Sequence, residues 1–126
     1  MDGVRGDKAQ EGALPARRAV AACPDAAPER ARERNLLAAL VSLRDQAEAS
    51  ALLADLLTPR EAEDFAQRLE VARMLDAGVS YVRIQAATGA SATTVARVAR
   101  CLKYGSGGYR VVLDRLPRYE TRGVSK

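Results

Sequence analysis

Histidine and tryptophan are absent from this 126-residue chain, and cysteine occurs only twice. Without histidine, the usual zinc ligand sets and the commonest general base are both missing. Cys23 and Cys101 are isolated from each other, one in a segment without apolar periodicity and one in a helical pattern. Neither a disulfide framework nor an activated cysteine is expected from them. No carboxylate pair sits at a telling spacing, so the expectation is no enzyme, no catalytic residue, no metal and no cofactor. Long apolar runs are absent too, and nothing approaches the ~20 residues of a membrane span. Val20-Ala21-Ala22-Cys23 resembles a lipidation site, but Arg17 and Arg18 occupy the place of the apolar run such a signal needs. The cytoplasm is therefore the expected location, with no membrane partner. Aromatics make up only 4% of the chain, as four Tyr and one Phe. What remains is rich in Ala, Leu and Arg, a composition that favours packed helices over sheets.

The net charge is only +4. Its distribution is more informative than its size. From Ala77 to Leu113 there is no acidic residue, while Arg83, Arg97, Arg100, Lys103 and Arg110 are basic. The preceding segment, Pro59 to Asp76, mixes both signs. A stretch of one sign beside a balanced one suggests an anion-facing surface, with a merely solvated basic face as the plainer alternative.

Residues 1–28 hold Pro15, Pro24 and Pro28 among Gly, Ala and charge, and read as a disordered tail. A helical domain is expected over 29–116 and a C-terminal tail over 117–126. Leu36, Leu37, Leu40, Val41 and Leu43 share one face of a helix expected near 29–47. A short helix near 49–57 carries Leu52, Leu53, Leu56 and Leu57, and with no Gly or Pro between it and the first, one bent helix is the alternative. Thr58-Pro59-Arg60-Glu61 combines a cap, a first-turn proline and the glutamate of a capping box. Ala62, Phe65, Ala66, Leu69, Ala72 and Leu75 then recur at helical spacing as far as Gly78. Ser80 opens a short helix to about Ala87, Gly89 supplies a turn, and Ser91 caps a helix over 92–104. A last helix is expected from Tyr109 to Leu116.

Ser80 to Lys103 thus reads as a helix-turn-helix. The two helices of that motif cross steeply, so the interior must be apolar and the turn needs glycine. Ile84, Ala90, Val95 and Val98 supply the interior. The second helix would enter the major groove of duplex DNA, presenting Ser91, Ala92, Thr93 and Thr94 to base edges. Gln85 could reach an adenine or a phosphate, and Arg100 and Lys103 extend the basic edge.

Leu56-Leu57-Thr58-Pro59-Arg60-Glu61, the spaced Arg68, Ser80 to Val98, and Arg100-Cys101-Leu102-Lys103-Tyr104-Gly105-Ser106-Gly107-Gly108-Tyr109 together resemble the Trp repressor superfamily, in particular its TrpR-like branch of regulators. The resemblance spans about residues 30–116. It implies an all-α chain of about six helices, intertwined with a second copy as a homodimer. It implies a transcriptional repressor in which Gln85, Ala92, Thr93 and Ala96 match DNA-contacting positions. Val82 stands where a DNA-contacting arginine is expected, with Arg83 beside it. The resemblance also implies a small-molecule effector pocket from Arg68, Arg97, Val98 and Cys101, completed by Thr58 of the second copy. Val98 replaces a glycine of that pocket and Cys101 replaces a serine, so tryptophan is not the expected ligand. A dimeric protein-interaction adaptor without DNA contact is the alternative reading.

Overall fold

The computed structural model describes residues 28–120. Most of the expected N-terminal tail, Cys23 with it, and residues 121–126 lie outside them. Six helices follow one another, with no strand among the described residues: α1 Pro28–Val41, α2 Gln46–Leu56, α3 Pro59–Asp76, α4 Tyr81–Thr88, α5 Ala92–Tyr104 and α6 Gly108–Arg115. The chain divides into two compact units between Leu52 and Leu53.

In the first unit, α1 ends at Val41, earlier than the apolar pattern suggests. The hydroxyl of Ser42 donates to the Ala39 carbonyl at 2.7 Å and closes the last turn. Asp45 then caps α2, its carboxylate accepting from the Glu48 N–H at 2.9 Å. Glu48 reaches back to accept from the Arg44 N–H at 3.0 Å. This is close to a capping box, so α1 and α2 are separate helices with no Gly or Pro between them. Neither helix contains a buried residue. The face carrying Leu36, Leu37, Leu40 and Val41 is exposed, Val41 at 84%.

The second unit is organised around α3, which packs against α4, α5 and α6. Its start follows from local chemistry. Thr58 Oγ1 accepts from the Glu61 N–H at 3.1 Å while the Glu61 carboxylate accepts from the Thr58 N–H at 2.9 Å. Gly78, at φ 84°, ends the helix. The Val79 N–H donates to the Met74 carbonyl and the Gly78 N–H to the Leu75 carbonyl, both at 3.0 Å, which satisfies two carbonyls otherwise left open.

The core consists of Val71, Ala72, Met74, Val79, Ile84, Ala90, Val95, Val98 and Leu113. The buried residues of α3 are Val71, Ala72 and Met74, with Leu69 and Leu75 of the expected face packed beside them, whereas Phe65 and Ala66 at its N-terminal half are exposed. Phe65 is half exposed, and the Arg68 guanidinium lies 5.1 Å from its ring centre. Each core position removes apolar area from water at about 25 cal/mol per Å². The last helix is tied to α3 through Arg110, which donates to both Asp76 carboxylate oxygens at 2.9 and 3.1 Å and also pairs with Asp114. Residues 117–120 are not a free tail. Arg73 donates to the Pro117 carbonyl at 3.3 Å, and its guanidinium lies 5.8 Å from the centre of the Tyr119 ring, which packs on the core.

Candidate nucleic-acid interface

α4 and α5 are short, and both begin on serine caps. Ser80 Oγ accepts from the Arg83 N–H at 3.3 Å, and Ser91 Oγ from the Thr94 N–H at 3.1 Å. The Ser91 and Thr94 hydroxyls also lie 3.1 Å apart. These caps satisfy amides that the first turn of each helix leaves open. Between the helices Gly89 adopts φ 75°, a left-handed conformation in which a side chain would be strained.

The turn is held by three further bonds. Thr88 Oγ1 donates to the Ile84 carbonyl at 2.8 Å and accepts from the Ala90 N–H at 3.1 Å. Gln67, on α3, donates from its side-chain amide to the Thr88 carbonyl at 3.1 Å. Sequence reasoning missed both residues. A threonine immediately before Gly89 was a readable signal, since its hydroxyl can bond the carbonyl four residues back. The Gln67 bond joins positions 21 residues apart and had no local signature.

α5 is strongly two-faced. Val95 and Val98 are buried at 0 and 2% exposure. Ala92, Thr93, Ala96, Arg97, Arg100 and Lys103 are all exposed. With ~1.5 Å of rise per residue, its 13 residues make a rod about 20 Å long and about 10–12 Å across, the size that a major groove about 12 Å wide admits. Small Ala92, Thr93 and Ala96 lie toward its N-terminal end, and the basic residues follow. Ser91 is exposed but its hydroxyl is committed to the cap, and Thr94 is half-buried in the same bond. Arg83 is exposed on α4 and Gln85 half-buried. Val82 is 75% exposed on the same helix. Ala86 is exposed, and Ile84 alone of α4 is fully interior.

Of the expected effector residues, Arg68 lines a groove on this chain. An open groove of about 880 Å³ runs between α3 and the α4–α5 turn, and among its lining residues are Arg60, Glu63, Arg68, Thr88, Ser91 and Thr94. Arg97, Val98 and Cys101 do not line it. Val98 is in the core, Cys101 is exposed, and the Thr58 hydroxyl is occupied by its cap. Tyr109, on α6, is half-buried. Burial pushes its hydroxyl above the usual phenol range, and the Arg68 charge partly opposes that rise.

The chain matches the family described as Trp repressor protein over residues 32–117. It is 46% identical over 91 residues to the uncharacterised protein YerC of Bacillus subtilis (strain 168), covering 72% of this chain and 88% of that one. Among solved structures it is similar to a TrpR-like protein from Eubacterium eligens ATCC 27750, at 41% identity and a TM-score of 0.65, covering 69% of this chain and 90% of that one. A Trp repressor candidate from Staphylococcus aureus is similar at 36% identity and a TM-score of 0.65, covering 68% and 85% of the two chains.

Proposed function

The chain belongs to the Trp repressor family, and from that premise we propose that it is a homodimeric transcriptional repressor that reads duplex DNA through α4 and α5. The observation that carries this reading is the division of α5. Its apolar side is locked into the core by Val95 and Val98, which leaves Thr93, Ala96, Arg97, Arg100 and Lys103 directed outward. Those residues lie in the acid-free stretch from Ala77 to Leu113. Thr93 and Ala96 are small enough to approach base edges, and Arg83, Arg97, Arg100 and Lys103 suit phosphates.

The dimer is supported by α1 and α2, which carry a leucine-rich face with no fully buried residue and with Leu37 and Leu56 about half exposed. Two-fold symmetry would set two copies of α5 on one face of a duplex, with half-sites about one helical turn apart. Such a protein works at the bacterial nucleoid. A small ligand would modulate it near Arg68 and Arg97, but tryptophan is not that ligand. Val98 fills core space at 2% exposure, and making room beside it would force repacking.

Selection of bound duplexes from a random pool, followed by footprinting and salt titration, tests the proposal. A palindromic site and a steep fall in affinity with salt are expected, because each neutralised phosphate releases counterions. Arg100→Ala should weaken binding to every sequence, whereas Thr93→Ala should change base preference. A dimer that retards no duplex even at ~50 mM salt would favour the adaptor reading instead.

A further inference from the structure

We propose that Gln67 is a positioning residue for DNA reading: its side-chain amide ties the α4–α5 turn to α3 and so sets the angle at which α5 is presented. This inference rests on the DNA-binding reading of α5. Its basis is the bond from Gln67 Nε2 to the Thr88 carbonyl at 3.1 Å. Thr88 is the last residue of α4, where helical carbonyls have no partner within the helix. The other hydrogen bonds of the turn come from inside the motif: Thr88 Oγ1 to Ile84 and Ala90, and the Gly89 N–H to the Gln85 carbonyl at 2.9 Å. They set the turn's internal shape but not its height above α3. Among the described residues, the Gln67 amide is the hydrogen bond that joins the turn to another element.

Core packing and the Gln67 bond act on this placement in different ways. Ile84, Ala90 and Val95 hold the turn through non-directional apolar contact. Gln67 itself is half-buried and lines the open groove rather than the core. Removing its donor therefore creates no internal cavity. What it removes is a directional constraint three residues from the Ser91 cap that starts α5. Base-edge hydrogen bonds need the helix at one angle, whereas phosphate contacts position a protein without reading sequence. Loss of the tie should thus act on discrimination more than on general affinity.

The test compares the wild-type protein with Gln67→Met, which keeps length and neutrality but has no donor. Glu63→Gln, in the same groove, serves as the control. Affinity is measured for the duplex selected by the wild type and for a random duplex, alongside amide exchange at Gly89 and Ala90. In Gln67→Met the ratio of the two affinities should fall roughly 5- to 10-fold, the worth of one hydrogen bond. Random-duplex binding should change little and the melting temperature should fall by no more than a few degrees, while the two turn amides exchange faster. Glu63→Gln should leave the ratio intact. A wild type that discriminates, with Gln67→Met discriminating equally, overturns the inference and leaves the DNA-binding reading standing. Parallel loss of both affinities and of melting temperature shows a general structural role and overturns it as well. A wild type that binds no duplex refutes the DNA-binding reading, and the inference with it.

Discussion

α1 and α2 carry Leu36, Leu37, Leu40, Leu52 and Leu53 and bury none of them, whereas α3 to α6 and their turns bury nine apolar residues of which only Leu113 is a leucine. The richer apolar pattern makes the poorer core. A helix face enriched in leucine records a demand for cover, not its source. In the second unit the demand is met within the chain, because α3 has α4, α5 and α6 against it. On α1 and α2 it is met only in part, since no residue there is fully buried. A second copy that intertwines with the first would meet it, and it is on this point that the contrast is most open to experiment.

The sharpest way to break the contrast is to make the leucine face polar. Leu37→Ser with Leu40→Ser should convert a dimer to monomer in sedimentation. The cost should be roughly 3–6 kcal/mol if both side chains are covered in the assembly. A monomeric wild type, with the double variant within about 0.5 kcal/mol of it, would show the leucines to be plain surface. Ile84→Ala probes the other side. It should lower stability by about 2–5 kcal/mol in urea unfolding, the range for emptying a closed core site. Unlike the leucine pair, it should leave the dimer's stoichiometry unchanged.

Smaller effects test how α5 is framed. A side chain at Gly105 would place its Cβ 2.5 Å from the Cys101 carbonyl oxygen. Gly105→Ala should therefore cost about 1–3 kcal/mol in thermal unfolding, as overpacking does. At Gly89 a Cβ meets nothing within 4 Å, so only the left-handed backbone is penalised. Gly89→Ala should cost about 1 kcal/mol, less than Gly105→Ala. The smallest effect is on acid stability. Arg110 holds the Asp76 carboxyl below the usual carboxylate range. The stability this contributes is present above the ordinary carboxylate pKa of about 4 and is lost as pH falls through the lower folded value. Asp76→Asn should flatten the pH dependence of melting below pH ~4 and change little at neutrality. An unaltered acid limb would show that the ion pair carries no pH-linked stability.

Much of the second unit was legible because its signals are local. Thr58-Pro59-Arg60-Glu61 made a capping box, Ser91 opened α5, and Gly89 took the left-handed turn, each as a few neighbouring residues dictate. The α1–α2 break was misplaced because neither Gly nor Pro marks it, although Asp45 and Glu48 stand at capping-box spacing. Phe65 recurs at helical spacing with Leu69 and Ala72, yet it is half exposed while they pack in or against the core, because spacing alone does not say how far along α3 the cover extends. The effector set was carried over by position; within one chain Val98 lies in the core, Cys101 is exposed and the Thr58 hydroxyl is taken by its cap.

Helix identity, caps, the helix-turn-helix and the one-signed surface of α5 were determined by the chain alone. Each depends on residues within a turn or two of one another, where hydrogen-bond geometry and steric preference act without knowledge of the whole. Only the folded arrangement decided how far along α3 the cover extends, that Gln67 reaches Thr88, and that Arg110 reaches Asp76. Those outcomes depend on packing between distant segments. Apolar burial is non-directional, so spacing alone does not set its extent, and the choice is made by which helices close together.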